Sequence, residues 1–363
     1  MRGTAGHGTE PTWAFPRLNW ALPSLPVDSG GLACLGSLDR SRGVGRVQEP
    51  RRGASPGTKG NRLTVAAVVV SYNRRDLLRR CLSAIDQQVP TVDEIIVVDN
   101  GSTDGSLELV RKDFPQATLF ETGANVGGAG GFAWGVELAI AKGHDYAWLM
   151  DDDAEPAPDS FAPLLKVVEN ADSAPGFLAS IVKDEEGVEL NQGHLAVVDP
   201  NAEHQLAARA LGCLAVTQAT FVGVLVNLKL AATMPLPHRD FFIWFDDAEY
   251  TRRLARNSLG FCVPESVVRH PAKPANPDMA GRLFYYVRNN LWLTKLSDVP
   301  AGVTGSIAWN AAYLFLYALR LYPTAKSKKI WAASLARGLR DGLLRSPENI
   351  MPGGLIRESG RTS

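Results

Sequence analysis

Val65-Ala66-Ala67-Val68-Val69-Val70-Ser71-Tyr72-Asn73 opens the ordered part of the chain: six apolar, largely β-branched residues, then an abrupt polar break. A short continuous apolar run of this kind predicts a strand buried on both faces. Leu77, Leu78, Cys81, Leu82 and Ile85 follow at helical spacing. Glu94–Val98 repeats the strand pattern and ends in Asp99-Asn100-Gly101-Ser102-Thr103-Asp104, a loop suited to starting a helix over Ser106–Lys112. A short strand near Ala117–Glu121, a glycine-rich turn, a helix over Phe132–Lys142 and a strand over Tyr146–Met150 continue the alternation. The predicted class is α/β, a mostly parallel central sheet with helices on both faces. In such sheets ligands bind beyond the carboxyl ends of the strands.

After Pro156 the pattern is mixed, with a helix predicted over Ser160–Asn170, strands over Ala179–Val182 and Ala219–Asn227, and a helix over Ala248–Asn257. From Arg282 the chain is helical in character. Val303–Leu319 carries no formal charge but is shorter than the roughly 20 apolar residues of a spanning helix, so a buried or interfacial helix is expected. Beyond it Ile330, Trp331, Ser334, Leu335, Gly338 and Leu339 share one face, with Lys328, Lys329, Arg337, Arg340 and Arg345 around it. That pattern suits either attachment to an anionic lipid surface or a solvated helix packed on the catalytic domain. The first 60 residues hold 11 glycines and 6 prolines and read as a disordered leader. Its apolar patch, Trp20–Val27, is broken by Pro23 and Pro26 and makes a poor signal-peptide core. The expected division is a leader over 1–62, a catalytic domain over 63–281, a helical, membrane-associating region over 282–350 and a tail over 351–363.

The 363 residues, 45% hydrophobic and 21% charged, exclude a wholly disordered or fibrous chain. Formal charge is zero, from 38 basic and 38 acidic side chains, which argues against a nucleic-acid binder. The zero is a sum of +5 over residues 1–63, −13 over 64–281 and +8 over 282–363. An acidic middle points to carboxylate chemistry and a basic end to an anionic surface. Cys34, Cys81, Cys213 and Cys262 are far apart with no CxxC, so neither a zinc cluster nor a disulfide framework is indicated.

Asp151-Asp152-Asp153-Ala154-Glu155 stands at the end of the strand Trp148-Leu149-Met150. Four carboxylates in five residues repel one another, and a divalent cation such as Mg²⁺ or Mn²⁺, which prefers oxygen ligands and bridges to phosphates, relieves that repulsion. Phe242-Ile243-Trp244-Phe245-Asp246-Asp247-Ala248-Glu249-Tyr250 places two acids at a helix start, where the helix dipole favours anions and one carboxylate can serve as general base. The ordinary alternative is an N-cap with first-turn acids. Gly127-Gly128-Ala129-Gly130-Gly131 after Asn125 offers backbone amides to a phosphate or sugar, or simply a tight turn. It lacks the GxGxxG spacing of a dinucleotide site.

Together these stretches resemble the family 2 glycosyltransferases of the GT-A fold over residues 64–280. Within that family Asn125–Phe132 and Phe242–Tyr250 look most like the galactofuranosyltransferases of actinobacterial cell-wall galactan, with rhamnosyltransferases next. The resemblance implies a nucleotide-diphosphate sugar donor, with Tyr72, Asp99, Asn125, Gly127, Gly128, Asp151 and Asp152 at the donor, and Asp153, Glu155 and His270 as Mn²⁺ or Mg²⁺ ligands. Glu155 stands where the galactofuranosyl enzymes carry an aspartate. Asp247 resembles the catalytic base and Asp246 the residue that holds the acceptor; Phe245 occupies the place of a family tryptophan, with Trp244 before it.

The implied reaction is a single in-line displacement with inversion at the anomeric carbon. The implied acceptor is a lipid-linked or cell-envelope glycan, and the implied location is cytoplasmic, peripheral on the cytoplasmic face of the membrane. A sugar nucleotidyltransferase and a non-catalytic sugar-binding scaffold are the competing readings; no basic glycine-rich signature supports the former, and the retained Asp153, Asp247 and His270 count against the latter. A processive synthase is excluded by the lack of QxxRW.

Overall fold

The computed structural model describes residues 62–188, 190, 197–271, 278–296 and 306–360. The expected leader, all but its last residue, and the start of the Val303–Leu319 stretch lie outside the described residues.

Strand β1 (Val65–Ser71) is buried along its whole length because it pairs in parallel with β2 (Glu94–Asp99) on one side and β4 (Tyr146–Asp151) on the other. Its unbroken apolar run follows from that position, since both faces are covered by helices. Strand β3 (Thr118–Glu121) extends the parallel half beyond β2. On the far side of β4 the sheet turns mixed: β9 (Val224–Asn227) joins antiparallel, then β6 (Phe177–Lys183) and β10 (Gly260–Arg269), with β8 (Leu214–Gln218) and β7 (Val197–Val198) at the edge. The two-residue β5 (Glu155–Pro156) pairs antiparallel with the end of β10, opposite Val268 and Arg269.

Helices α1 (Arg75–Asp86), α2 (Ser106–Asp113) and α4 (Phe161–Asn170) close one apolar core with Trp148, Leu82 and Phe261. On the other face α3 (Gly127–Ala141), α6 (Leu228–Ala231) and α7 (Asp246–Asn257) pack with Val68, Leu149 and Tyr250; α5 (Ala202–Ala210) lies against β8.

The glycine-rich stretch expected as a turn is the first part of α3. A Cβ at Gly131 would fall 2.4 Å from a methyl of Val70, and one at Gly135 2.2 Å from a methyl of Val68. The glycines thus let the helix backbone approach β1 closely, a use that helical spacing does not separate from a turn.

The C-terminal region forms α8 (Arg282–Leu296), α9 (Ile307–Leu321), α10 (Lys328–Leu344) and the short α11 (Gly354–Ser359). The face of α10 considered for lipid contact is turned inward: Trp331, Ser334, Leu335 and Gly338 are buried, and a Cβ at Gly338 would touch the Phe284 carbonyl of α8 at 3.0 Å. Packing on α8 takes up most of this stripe, while Ile330 stays exposed and Leu339 half-buried. Among the described residues no helix is long and apolar enough to cross a membrane.

The expected tail also has a place. The buried Glu137 carboxylate of α3 accepts the amides of Gly353 (2.8 Å) and Ile356 (3.3 Å), Leu355 is buried against the α3 core, and Arg239 pairs with Glu348 (3.0 Å) and Glu358 (2.7 Å). The chain end is thereby strapped across the segment leading into Phe242–Asp247.

Candidate active site

The loops after β1 and β2 are tied together by side chains at the carboxyl edge of the sheet. Asn73, in the left-handed region (φ 53°), donates its amide to Ser102 Oγ (3.0 Å) and accepts from the Thr103 amide (2.8 Å) through Oδ1. Asp99 is buried, and its Oδ1 accepts the Gly101 and Ser102 amides (2.9 and 2.8 Å). Tyr72 is exposed, and its amide donates to Asp152 Oδ2 at 3.0 Å, which joins the β1 loop to the aspartate run.

The aspartate run leaves β4 beside β1. Arg74 donates to Asp152 Oδ1 (3.2 Å) and to Asp153 Oδ2. The β5–β10 pairing then folds Glu155 against Arg269 and delivers the next residue, His270, to the acids. His270 Nε2 lies 3.2 Å from Asp153 Oδ1, while its Nδ1 is 2.9 Å from the Pro271 carbonyl. With the Nδ1 proton on that carbonyl, Nε2 faces the carboxylates with its lone pair once deprotonated.

One ligand atom from each of Asp151, Asp153 and His270 lies within 4.8 Å of the others. Asp153 Oδ1 is buried with no donor aligned on it for a hydrogen bond. Burial, then the Asp153 and Asp152 charges, push Asp151 well above the ordinary carboxylate range. Burial raises Asp152 to about 6 against the Tyr72 amide and Arg74. Burial works upward on Asp153 too, but His270 and Arg74 hold it below its ordinary value. Burial opposes the imidazolium of His270, which Asp153 and Asp151 nonetheless favour. These carboxylates and the imidazole are the oxygen and nitrogen donors that Mn²⁺ or Mg²⁺ accepts, and a cation would relieve the repulsion raising Asp151. Glu155 lies outside this triad; its carboxylate is 3.9 Å from Arg80, on the wall of a cleft of about 270 Å³ that Asp153, Arg269 and His270 also line. Asp151, expected at the donor, is the third member of this cluster.

The acid pair is presented by an unusual backbone. Phe242, Trp244 and Phe245 have φ of 64°, 66° and 71°, a conformation that costs non-glycine residues on the order of 1–3 kcal/mol each. Asn289 of α8, fully buried, holds it: its Nδ2 is shared among the carbonyl oxygens of Phe241 (2.9 Å), Ile243 (2.8 Å) and Trp244 (3.1 Å). The Arg288 guanidinium caps the Asp240 and Phe241 carbonyls. The Ala129 amide donates to the Phe242 carbonyl at 3.3 Å. Gly127 is committed to this contact as well, with its amide on Asn125 Oδ1 (2.8 Å) and its carbonyl taking the Asn100 side chain (3.0 Å). At Gly128 nothing lies within 4 Å of a would-be Cβ. Neither Asn289 nor Arg288 carries a local sequence signal, since α8 holds other polar residues, Asn290, Thr294 and Lys295 among them.

At the start of α7 Asp246 is buried and Asp247 half-buried. Burial, then the Asp247 charge, raise Asp246 to about 8, and Asp246 in turn adds to the upward push on Asp151. Asp246 of the pair thus interacts electrostatically with Asp151 of the triad.

The profile of Glycosyl transferase family 2 matches residues 66–212. The galactofuranosyltransferase GlfT1 of Mycobacterium tuberculosis is 32% identical over 248 residues, 62% of this chain and 80% of that protein. The chain belongs to glycosyltransferase family 2. The GlfT1 of Mycolicibacterium smegmatis is 29% identical over 228 residues, covering 60% of this chain and 75% of that one. The mannosyltransferase PcManGT of Pyrobaculum calidifontis, solved in complex with GDP-Man and Mn²⁺, overlays with a TM-score of 0.48 at 20% identity, over 84% of this chain and 81% of that one. The family profile ends before β9, α7 and β10, so Asp246, Asp247 and His270 lie outside the matched stretch, while Asp99 and the aspartate run lie within it.

Proposed function

We propose that this family 2 glycosyltransferase is a metal-dependent, inverting galactofuranosyltransferase that moves the sugar of UDP-galactofuranose to a lipid-linked or cell-envelope glycan on the cytoplasmic side of a membrane. The two GlfT1 relatives support the choice of sugar. The observation that carries the chemistry is the gathering of Asp151, Asp153 and His270 within 4.8 Å of one another, with Asp246 of the Asp246–Asp247 pair adding to the charge that Asp151 feels.

Asp151, Asp153 and His270 would hold Mn²⁺ or Mg²⁺, which when bound supplies charge neutralisation for a departing nucleoside diphosphate. Tyr72, whose amide is held by Asp152, and Asp99 would face the donor's nucleoside, and Gly128, with nothing within 4 Å of a would-be Cβ, is the glycine free to approach the sugar diphosphate.

Asp246 keeps its proton at neutral pH and can donate a hydrogen bond to an acceptor oxygen. Asp247 remains as the group that takes the acceptor hydroxyl proton. Two neighbouring carboxyls with environments pushed apart is the usual way to divide donor and acceptor roles. The strained loop holds the backbone that presents the pair, and an acceptor oxygen bound there would attack the anomeric carbon from the side opposite the diphosphate. One displacement gives inversion.

The test is transfer from UDP-galactofuranose to a lipid-linked glycan in the presence of Mn²⁺, with the anomeric configuration of the product read by NMR. Transfer from a dTDP-rhamnose donor in preference, or retention of configuration, overturns the respective part of the reading.

A further inference from the structure

Helix α9 carries one face that nothing among the described residues covers. Ala308, Trp309, Ala312, Phe315, Leu316 and Leu319 are exposed and fall on one continuous side of the helix, with Leu316 65% and Trp309 56% accessible. The opposite side, with Leu314 and Ala318, is buried against α8 and α10. An exposed stripe made wholly of alanines and large apolar side chains marks an interaction surface.

What borders the stripe identifies the partner. Between residues 306 and 340 there are six basic residues, Arg320, Lys326, Lys328, Lys329, Arg337 and Arg340, and no acid. Arg320 closes the stripe at its C-terminal end, and Lys326, Lys328 and Lys329 are exposed in the turn and first turn of α10 beyond it. Tyr322, also exposed, sits between the apolar and the cationic parts. An apolar helix face with tryptophan and tyrosine at its ends and a cationic edge matches the boundary between acyl chains and anionic headgroups. With 15 residues, about 22 Å of helix, α9 is too short to cross a bilayer and long enough to lie in its surface.

The same helix reaches the acid pair from its inner side. Tyr317 of α9 packs on Tyr286 of α8 with ring centroids 5.3 Å apart, and Tyr286 packs on Phe245 (5.7 Å) and Trp244 (6.2 Å), the residues directly before Asp246. One layer of aromatic rings thus separates the acceptor loop from the exposed stripe.

We propose that the exposed face of α9, with the cationic turn after it, is the surface by which this protein docks on an anionic lipid bilayer. This rests on the reading above of a lipid-linked acceptor, for it holds the acceptor loop next to the plane from which such an acceptor projects. It assigns the contact to α9 and not to the apolar stripe of α10, which is spent on α8.

The experiment is co-sedimentation of the full chain with phosphatidylglycerol or phosphatidylcholine vesicles, without any sugar nucleotide, so that its result is independent of glycosyl transfer. Wild type is expected to bind phosphatidylglycerol at low salt and to be released by high salt. Phe315→Glu with Leu316→Glu is expected to weaken binding at least about tenfold. Lys326→Glu with Lys329→Glu, which leaves the apolar face intact, is expected to do the same on phosphatidylglycerol alone. Unchanged binding in both double variants, or equal wild-type binding to the two lipids, overturns the proposal. So does a wild-type dimer in vesicle-free solution that the Phe315/Leu316 variant abolishes, because the face then belongs to a second copy. Transfer to a soluble acceptor fragment is retained in every variant if the site reading holds, so the failure of either proposal is recognised separately.

Discussion

Gly127 stands so close to Phe242 that a β-carbon on it would lie 2.1 Å from the Phe242 carbonyl oxygen. Its φ of 75° independently favours glycine. The start of α3 is therefore a support for the loop that leads into Asp246 and Asp247. Gly127→Ala is expected to displace residues 242–245 and lower kcat by at least about tenfold, on the scale of misplacing a catalytic group. Donor affinity, measured by calorimetry with the nucleoside diphosphate, is expected to change little. Gly128→Ala, at the open position, is expected to act on donor affinity instead.

Asn289 restrains the same loop from the other side. Asn289→Leu keeps the volume but removes the donor shared by three carbonyls, leaving strained backbone without its restraint. The expected result is a destabilisation of about 2 kcal/mol in urea unfolding with kcat falling further than KM rises. An unchanged kcat would show that the strained loop does not position the acids.

The Asp246 carboxyl gives a pH signature whose sign is fixed. Its folded value is about 8 against an ordinary value of 3.8, so the folded protein binds this proton more tightly than the unfolded chain. The associated stability is full below the unfolded value and is lost as pH rises through about 8. Asp246→Asn removes the alkaline penalty: melting temperature is expected to exceed wild type by at least about 2 °C at pH 9, with a smaller difference at pH 6. The same substitution is expected to reduce transfer sharply, since a group that orients the acceptor has been altered.

Metal affinity distinguishes the two candidate ligand sets. Asp151 lies in the triad with Asp153 and His270, and Glu155 does not. Asp151→Asn is expected to lower Mn²⁺ affinity at least about tenfold while raising metal-free stability, because it removes a carboxylate that its neighbours repel. Glu155→Gln is expected to change affinity less. The reverse order, read by titration calorimetry, would return Glu155 to the ligand set.

The parallel half of the sheet was legible because β1, β2 and β4 are buried on both faces and read as unbroken apolar runs. Of the strand predicted over Ala219–Asn227 only Val224–Asn227 is strand, as β9, and β8 has already ended at Gln218; the stretch before β9 contains Gly223 at φ 78°, whose carbonyl accepts the Ser180 hydroxyl, a tertiary constraint without a local pattern. The aspartate run and the acid pair announced themselves as clusters. Their supports did not: Asn289 reaches Phe241 across 48 positions and Glu137 reaches Gly353 across 216. The amphipathic pattern of α10 was visible, but periodicity states that a face is apolar without stating what covers it, and the exposed face proved to be that of α9.

In the proposed reaction Asp247 takes the acceptor proton while Asp151, Asp153 and His270 would hold the metal. That reaction is tested most directly by release of nucleoside diphosphate from a panel of nucleotide sugars with Mn²⁺ and an acceptor glycan, wild type against Asp247→Ala. Wild type is expected to turn over at least one donor, fastest with UDP-galactofuranose, and the variant to lose at least about a hundredfold, the lower range for removal of a general base. Turnover with none of the donors, or undiminished turnover in Asp247→Ala, contradicts that reaction.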